Sequence, residues 1–280
     1  MAQDQTDDPA RAAPVRLAFR VAYLGSRFYG SQLQAAQRTV EGEFIAACQR
    51  LGLFSDWRRA GFLSAGRTDR GVHAYGQVVA FSTSSPDRAA MAINAQLPPD
   101  CWCTGVSCVP DQFNPRYDAV SRTYRYYFPG VFPEQESMQR AARAFLGEHN
   151  FTSFARVKGK NPWRRILAIA VDTHEGMTCI EVRAESFLWH QVRCMASALA
   201  AVGSGEEEES FIGDLLGAAA ERPLQPAPAE GLVLWETDCG LCWQPLAAGE
   251  RSTEFLDHLN RHHLLMGRIC TALLSAHPEG

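Results

Sequence analysis

Residues 64–77 read SAGRTDRGVHAYGQ and set one carboxylate, Asp69, between Arg67 and Arg70, with Gly66 and Gly71 closing either side. The residues before and after it read as one strand entering and another leaving. A charged group is therefore held in a connection between strands, where loops present reactive side chains. A carboxylate flanked by guanidinium groups can serve as a nucleophile, as a general base, or as half of an ordinary surface ion pair in an Asx-turn. From composition alone the ion pair is the commoner outcome. Unusual residues also concentrate in SRTYRY (residues 121–126), NPWRR (residues 161–165) and FLWHQVR (residues 187–193).

Periodicity gives the elements that must position these segments. Residues 16–25 alternate as a strand. Thr39 then caps a helix with Val40, Phe44, Ala47, Cys48 and Leu51 on one face, and Glu41 and Glu43 lie in its first turn, where the helix dipole favours acids. Strands over 61–65 and 72–83 flank the Asp69 connection, and a helix over 86–97 and a strand over 101–109 complete a β-α-β-β-α-β order. The second half repeats it, with strand 119–128, helix 134–146 closed by Gly147, strands 165–173 and 178–187, a helix over 189–202, another from 206 to about 220, and strand 231–237. Leu188, Val192, Met195, Ala196, Leu199 and Val202 form the stripe of the 189–202 helix, so Arg193 lies beside that stripe near the helix start. The fold class expected is α+β, two split β-α-β units in tandem whose sheets are able to join edge to edge. Residues 1–15 read as a disordered leader, 16–115 and 116–248 as the halves, and 249–280 as a helical extension with Phe255, Leu259, His262, His263 and Met266 near one face.

The chain is 280 residues long and 46% hydrophobic, enough for a substantial core. The start carries acids and no apolar h-region, which excludes a signal peptide there, and no apolar run is long enough to span a membrane. Nine cysteines, an odd and scattered set, suit reduced thiols in a cytoplasm. Cys239 and Cys242 make a lone CxxC; zinc would need a second ligand pair, and Cys101 and Cys103 have the wrong spacing for one. Net charge is −4, yet residues 156–165 (RVKGKNPWRR) hold both lysines of the chain and three of its arginines. This local basic segment fits an anionic partner better than the total does.

The GRTDRGVHA segment around Asp69, the R-T-Y-R-Y strand, the NFTSF segment (150–154), the F-L-W-H-Q-V-R helix start and AEGL (229–232) together resemble the TruA family of tRNA pseudouridine synthases, over residues 16 to about 245. That resemblance implies two tandem ferredoxin-like halves forming one extended, mostly antiparallel sheet with a central catalytic cleft, and a cytoplasmic isomerase that binds tRNA, turns uridine into pseudouridine at positions 38, 39 and/or 40 of the anticodon stem-loop, works as a homodimer, and needs neither cofactor nor metal. Asp69 would be the nucleophile, Tyr124 would pack on the target base and is a candidate for removing its proton, and Arg193 would pair with the carboxylate. Arg67 would fill the space left by the flipped nucleotide, and Arg70 would meet a neighbouring phosphate. Lys158, Lys160 and Arg164 are expected on tRNA phosphates. Two alternatives remain at this level, a non-catalytic RNA-binding or chaperone protein with the same cleft, and a redox or zinc protein built on the cysteines. Ser31 and Trp189 depart from the residues common in the family at those positions.

Overall fold

The computed structural model describes residues 13–217 and 224–276. Residues 1–12 of the expected leader and the end of the helix expected over 206–220 lie outside the described residues. In β1 (Val15–Tyr23), Leu17, Phe19, Val21 and Tyr23 face one core while Ala18 faces another, so the strand is buried on both sides. α1 (Val40–Arg50) begins where the Thr39 side chain accepts a hydrogen bond from the Gly42 N–H at 3.2 Å. β2 (Leu63–Ser64) and β3 (His73–Thr83) flank the Asp69 loop. α2 (Pro86–Gln96) opens on a proline, which costs no hydrogen bond in a first turn, and β4 (Cys101–Cys108) follows.

The rest of the chain runs β5 (Ser121–Phe128), α3 (Gln135–Ala142), β6 (Gly147–Asn150), β7 (Trp163–His174), β8 (Met177–Ala184), α4 (Gln191–Gly203), α5 (Phe211–Gly217), β9 (Leu232–Asp238), β10 (Gln244–Pro245) and α6 (Glu250–Ser275). The described strands form one ten-stranded sheet in the order β10-β4-β1-β3-β9-β5-β8-β7-β6, with β2 alongside β3. The pairing of β3 with β9 is parallel, His73 opposite Val233 and Ala74 opposite Leu234, and the other pairings are antiparallel. The order β4-β1-β3-β2 on one side of that junction matches β9-β5-β8-β7 on the other. The junction begins just past the Asp69 loop. The fold is mixed α+β with a large, mostly antiparallel sheet.

Two cores set this arrangement. Phe19, Phe44, Phe62 and Phe81 fill the first, with Phe19 stacked on Phe81 at 5.5 Å between centroids. Full burial of a side chain of this size contributes about 1.5–3 kcal/mol. Phe145, Phe151, Phe154, Met195 and Leu199 fill the second. Tyr124 packs against both.

Some elements differ from the sequence reading. The acidic run Glu206–Glu209 precedes α5 and does not begin it, because Gly205 turns the chain at φ +77° and the Glu206 and Glu207 N–H groups both return to Ala201 O. Glu209 instead accepts a hydrogen bond from Arg140 at 2.6 Å. β6 has no counterpart in the sequence reading, since its sequence GEHN has no apolar alternation; it pairs with β7 at the sheet edge. α6 falls within the expected helical extension, and among its described residues only Ser252 is buried. No helix among the described residues is long and apolar enough to cross a membrane.

Candidate active site

The Asp69 loop is fixed from behind by buried polar groups. Ser31 Oγ accepts the Thr68 N–H at 2.8 Å, and the Ser31 N–H returns to Thr68 O at 3.1 Å. The Thr68 hydroxyl bonds the buried Tyr23 hydroxyl at 2.8 Å, and the Gln77 amide donates to Gly66 O at 2.9 Å. The Val72 N–H closes a turn on Asp69 O at 3.2 Å, and Gly71 takes φ +86°, a left-handed conformation that suits glycine. Pinned on both sides, the turn holds the Asp69 side chain outward, about one-third exposed.

The start of α4 faces that carboxylate. Arg193 Nη1 donates to Asp69 Oδ2 at 3.4 Å, and its Nε is fixed on Ala227 O at 2.6 Å. At an effective dielectric near 20, unit charges 4 Å apart attract by about 4 kcal/mol before desolvation, and the exposure of Asp69 reduces this further by solvent screening. His190 Nε2 lies 3.2 Å from the same Oδ2. The Trp189 indole N–H donates to Oδ1 at 3.0 Å. Lys158 Nζ sits 3.9 Å from the Trp189 ring centroid, and the Arg156 guanidinium is 5.1 Å from it.

Asp69, Trp189, His190 and Arg193 line an open cleft with Thr68, Val72, Tyr124, Phe187, Leu188 and Leu232, of about 410 Å³ counted together with the open solvent at its mouth. Tyr124 is half-buried, with Phe187 set edge-on to its ring at 5.1 Å. Burial pushes its hydroxyl up to about 12; Arg122 opposes that rise and Asp69 adds to it. The Tyr124 hydroxyl is therefore protonated at neutral pH.

Asp69, Tyr124, Arg193 and Arg67 all come to this cleft. Arg67 is exposed at its mouth. Arg70 points away from the cleft's lining, its guanidinium 4.4 Å from the Tyr29 ring centroid. Lys158 meets the site through Trp189, and Lys160 is exposed beside it in sequence. Arg164 is half-buried, and its Nη1 donates to the carbonyls of Asn161 at 2.8 Å and Trp163 at 2.6 Å, which commits it to its own loop. His73 accepts the Gly25 N–H on Nδ1 at 3.0 Å and meets Glu230 O through Nε2 at 3.1 Å, a structural link between the halves. Among the described residues, no three His, Cys, Asp or Glu side chains converge to hold a metal.

Sequence reasoning assigns no role at the carboxylate to Trp189 or His190. Both precede the helix proper, His190 in a left-handed conformation, so helical spacing from Arg193 does not place them; their only trace in the sequence is their membership of the FLWHQVR segment. Ser31 stands out in the sequence only as a departure from the family, yet its hydroxyl is what holds the Thr68 N–H.

Residues 141–238 match a family model described as tRNA pseudouridine synthase. The chain is 51% identical to tRNA pseudouridine synthase A of Methanoculleus marisnigri over 95% of its length and 98% of that protein's. It is 49% identical to the protein of the same name from Methanosphaerula palustris, over 91% of each chain. Identity to the Thermococcus onnurineus protein of that name is 40%, over 79% of this chain and 84% of that one. The chain belongs to the TruA family of tRNA pseudouridine synthases. It is an isomerase of the pseudouridine synthase class.

Proposed function

We propose that this enzyme converts uridine to pseudouridine in the anticodon stem-loop of tRNA, at one or more of positions 38, 39 and 40, with Asp69 as nucleophile. The observation that carries this reading is the pairing of Asp69, on the loop between β2 and β3, with Arg193, on α4 of the other half, at the mouth of a cleft floored by Tyr124. Asp69 attacks the ribose anomeric carbon or the base itself. On either route an oxygen lone pair of Asp69 forms a bond to carbon and is regained on release. The electron pair of the broken C–N bond ends on N1, which takes up a proton, while C5 loses one as the C–C bond forms. The isomerisation is thus redox-neutral and needs no co-reactant.

A uridine within a stem must leave its stack to reach Asp69, at a cost of a few kcal/mol. Arg67 at the cleft mouth is suited to occupy the vacated space, and Tyr124 to pack on the base. Because its hydroxyl is held protonated, Tyr124 needs a neighbouring acceptor before it can take the C5 proton. Lys158 and Lys160 meet tRNA phosphates, Arg70 meets a phosphate beside the loop, and Arg164 shapes the basic segment from within.

The two matching strand orders support tandem ferredoxin-like halves, residues 16–115 and 116–248, with 249–280 as an appended helix. A homodimer is part of the same reading, favoured by the exposed Leu264, Leu265, Met266 and Leu273 of α6; light scattering of a fully active but monomeric enzyme would rule it out. The nine free thiols fit a reducing cytoplasm. The deciding experiment is position-resolved mapping of pseudouridine in tRNA after incubation with the enzyme. Product at positions 38 to 40 supports the reading, product elsewhere corrects the site, and tight binding without product leaves a tRNA-binding protein instead.

A further inference from the structure

The donors around Asp69 are unevenly divided between its two oxygens. Oδ2 faces Arg193 at 3.4 Å and His190 at 3.2 Å, and both of those side chains are largely buried, 14% and 12% exposed. Oδ1 has the Trp189 indole N–H, from a residue that is 39% exposed at the cleft. We propose that Oδ1 is the attacking oxygen, that His190 is a positioning residue which joins Arg193 in anchoring Oδ2, and that Trp189 caps Oδ1 until a base enters. The proposal rests on Asp69 being the nucleophile.

His190 is built for that part. It holds φ +67°, a left-handed conformation uncommon for a residue with a side chain, at the point where the chain enters α4. Its Nδ1 is buried with no hydrogen-bond partner. Nε2 stands 3.2 Å from Oδ2 but outside hydrogen-bond alignment; two lone pairs at that distance would repel, so the ring hydrogen sits on Nε2, Nδ1 carries the bare lone pair, and the contact is one that aligns when substrate binds. Burial lowers the His190 pKa below the ordinary histidine value; Arg193, Arg156 and Lys158 press the same way and Asp69 opposes them, so the ring is neutral at pH 7. A neutral donor orients the carboxylate without adding a second full charge that would weaken it as a nucleophile.

Trp189 is placed to yield. Its N–H occupies an Oδ1 lone pair that must be free for bond formation, and Lys158 and Arg156, which flank its ring, belong to the basic segment that meets phosphate. Oδ1 gives its lone pair to carbon in the step balanced above, while Oδ2 keeps its Arg193 hydrogen bond and its contact with His190.

The test measures single-turnover release of hydrogen from C5-labelled uridine in saturating tRNA, with tRNA affinity in parallel, for wild type, His190→Gly, His190→Gln and Trp189→Phe. Glycine suits φ +67° and removes only the ring, so its effect reports the lost donor. His190→Gly is expected to slow release by roughly ten- to hundredfold, the range for a hydrogen bond to a charged group, with affinity within about twofold. His190→Gln, which restores an N–H donor, is expected to stay within about tenfold of wild type. Trp189→Phe keeps a ring, removes the N–H that must leave Oδ1 before attack, and is expected to release hydrogen faster than wild type. A His190→Gly enzyme as fast as wild type, a His190→Gln enzyme more than about tenfold slower, or a Trp189→Phe enzyme no faster than wild type would each overturn the assignment. Should the glycine variant not fold, the other two decide it. An inactive wild type would instead refute the isomerase reading beneath it.

Discussion

Gly25 is the position where a single methyl group should do most damage to the Asp69 loop. A Cβ there would stand 2.0 Å from Val72 O and 2.5 Å from Val72 C, against a limit near 3.0 Å that Cβ atoms essentially never cross. The obstacle is backbone and cannot swing aside, so the two segments must separate by about 1 Å. Val72 closes the turn on Asp69 O, and the Gly25 N–H is itself bonded to His73. The displacement therefore passes to the carboxylate. Catalytic groups need placement within about 0.5 Å, and a 1 Å error can cost about a hundredfold in rate. Gly25→Ala is thus expected to lower single-turnover hydrogen release by about a hundredfold, with overpacking removing about 1–3 kcal/mol of stability in a denaturant titration. Gly66→Ala is the control, because nothing lies within 4 Å of the place its added methyl would take and its backbone is not left-handed. A folded Gly25→Ala enzyme with a rate within threefold of wild type would show that the loop is not held as described.

The basic segment gives a second expectation: replacing Lys158 and Lys160 together with Ala should flatten the log-log salt dependence of tRNA binding by roughly 0.7–1 for each, whereas Arg164→Ala, committed to its own loop carbonyls, should leave the slope unchanged. Equal effects of all three would mean that Arg164 leaves its loop to bind RNA. His73 gives a third. Burial lowers its pKa, and its Nδ1 is occupied as an acceptor, so the unfolded chain takes up a proton as pH falls through about 6.5 while the folded ring does not until a lower pH. Unfolded chains then bind more protons, and stability falls with pH in that window. Melting temperature should drop between pH 7 and 5.5, less steeply in His73→Gln; parallel slopes would assign the drop to other groups.

What can be read from sequence is what leaves a periodic or punctuated trace. α1 is legible with its Thr39 cap because polar cap and apolar stripe coincide, and β3 and β5 are visible in their β-branched and aromatic runs. β6 leaves no such trace, and the true start of α5 is masked by glutamates that would suit a first helical turn but are drawn off by Arg140 and the turn at Gly205. At the site, Asp69, Arg193 and Tyr124 stand out through their motifs. The parts played by Ser31, Tyr23, Trp189 and His190 depend on contacts between segments far apart in the chain, such as Thr68 with Ser31 and Trp189 with Asp69, and no local spacing encodes those distances.

Asp69→Asn tests the central claim most directly, because it keeps the side chain's shape and removes its charge and nucleophilicity. The measurement is release of hydrogen from C5-labelled uridine in tRNA, with tRNA binding and melting temperature followed on the same preparation. The expected result is a folded protein that binds tRNA within a fewfold of wild type and releases no hydrogen above background. Sustained release by a folded Asp69→Asn enzyme would contradict the assignment of Asp69 as the group that breaks and remakes the bond.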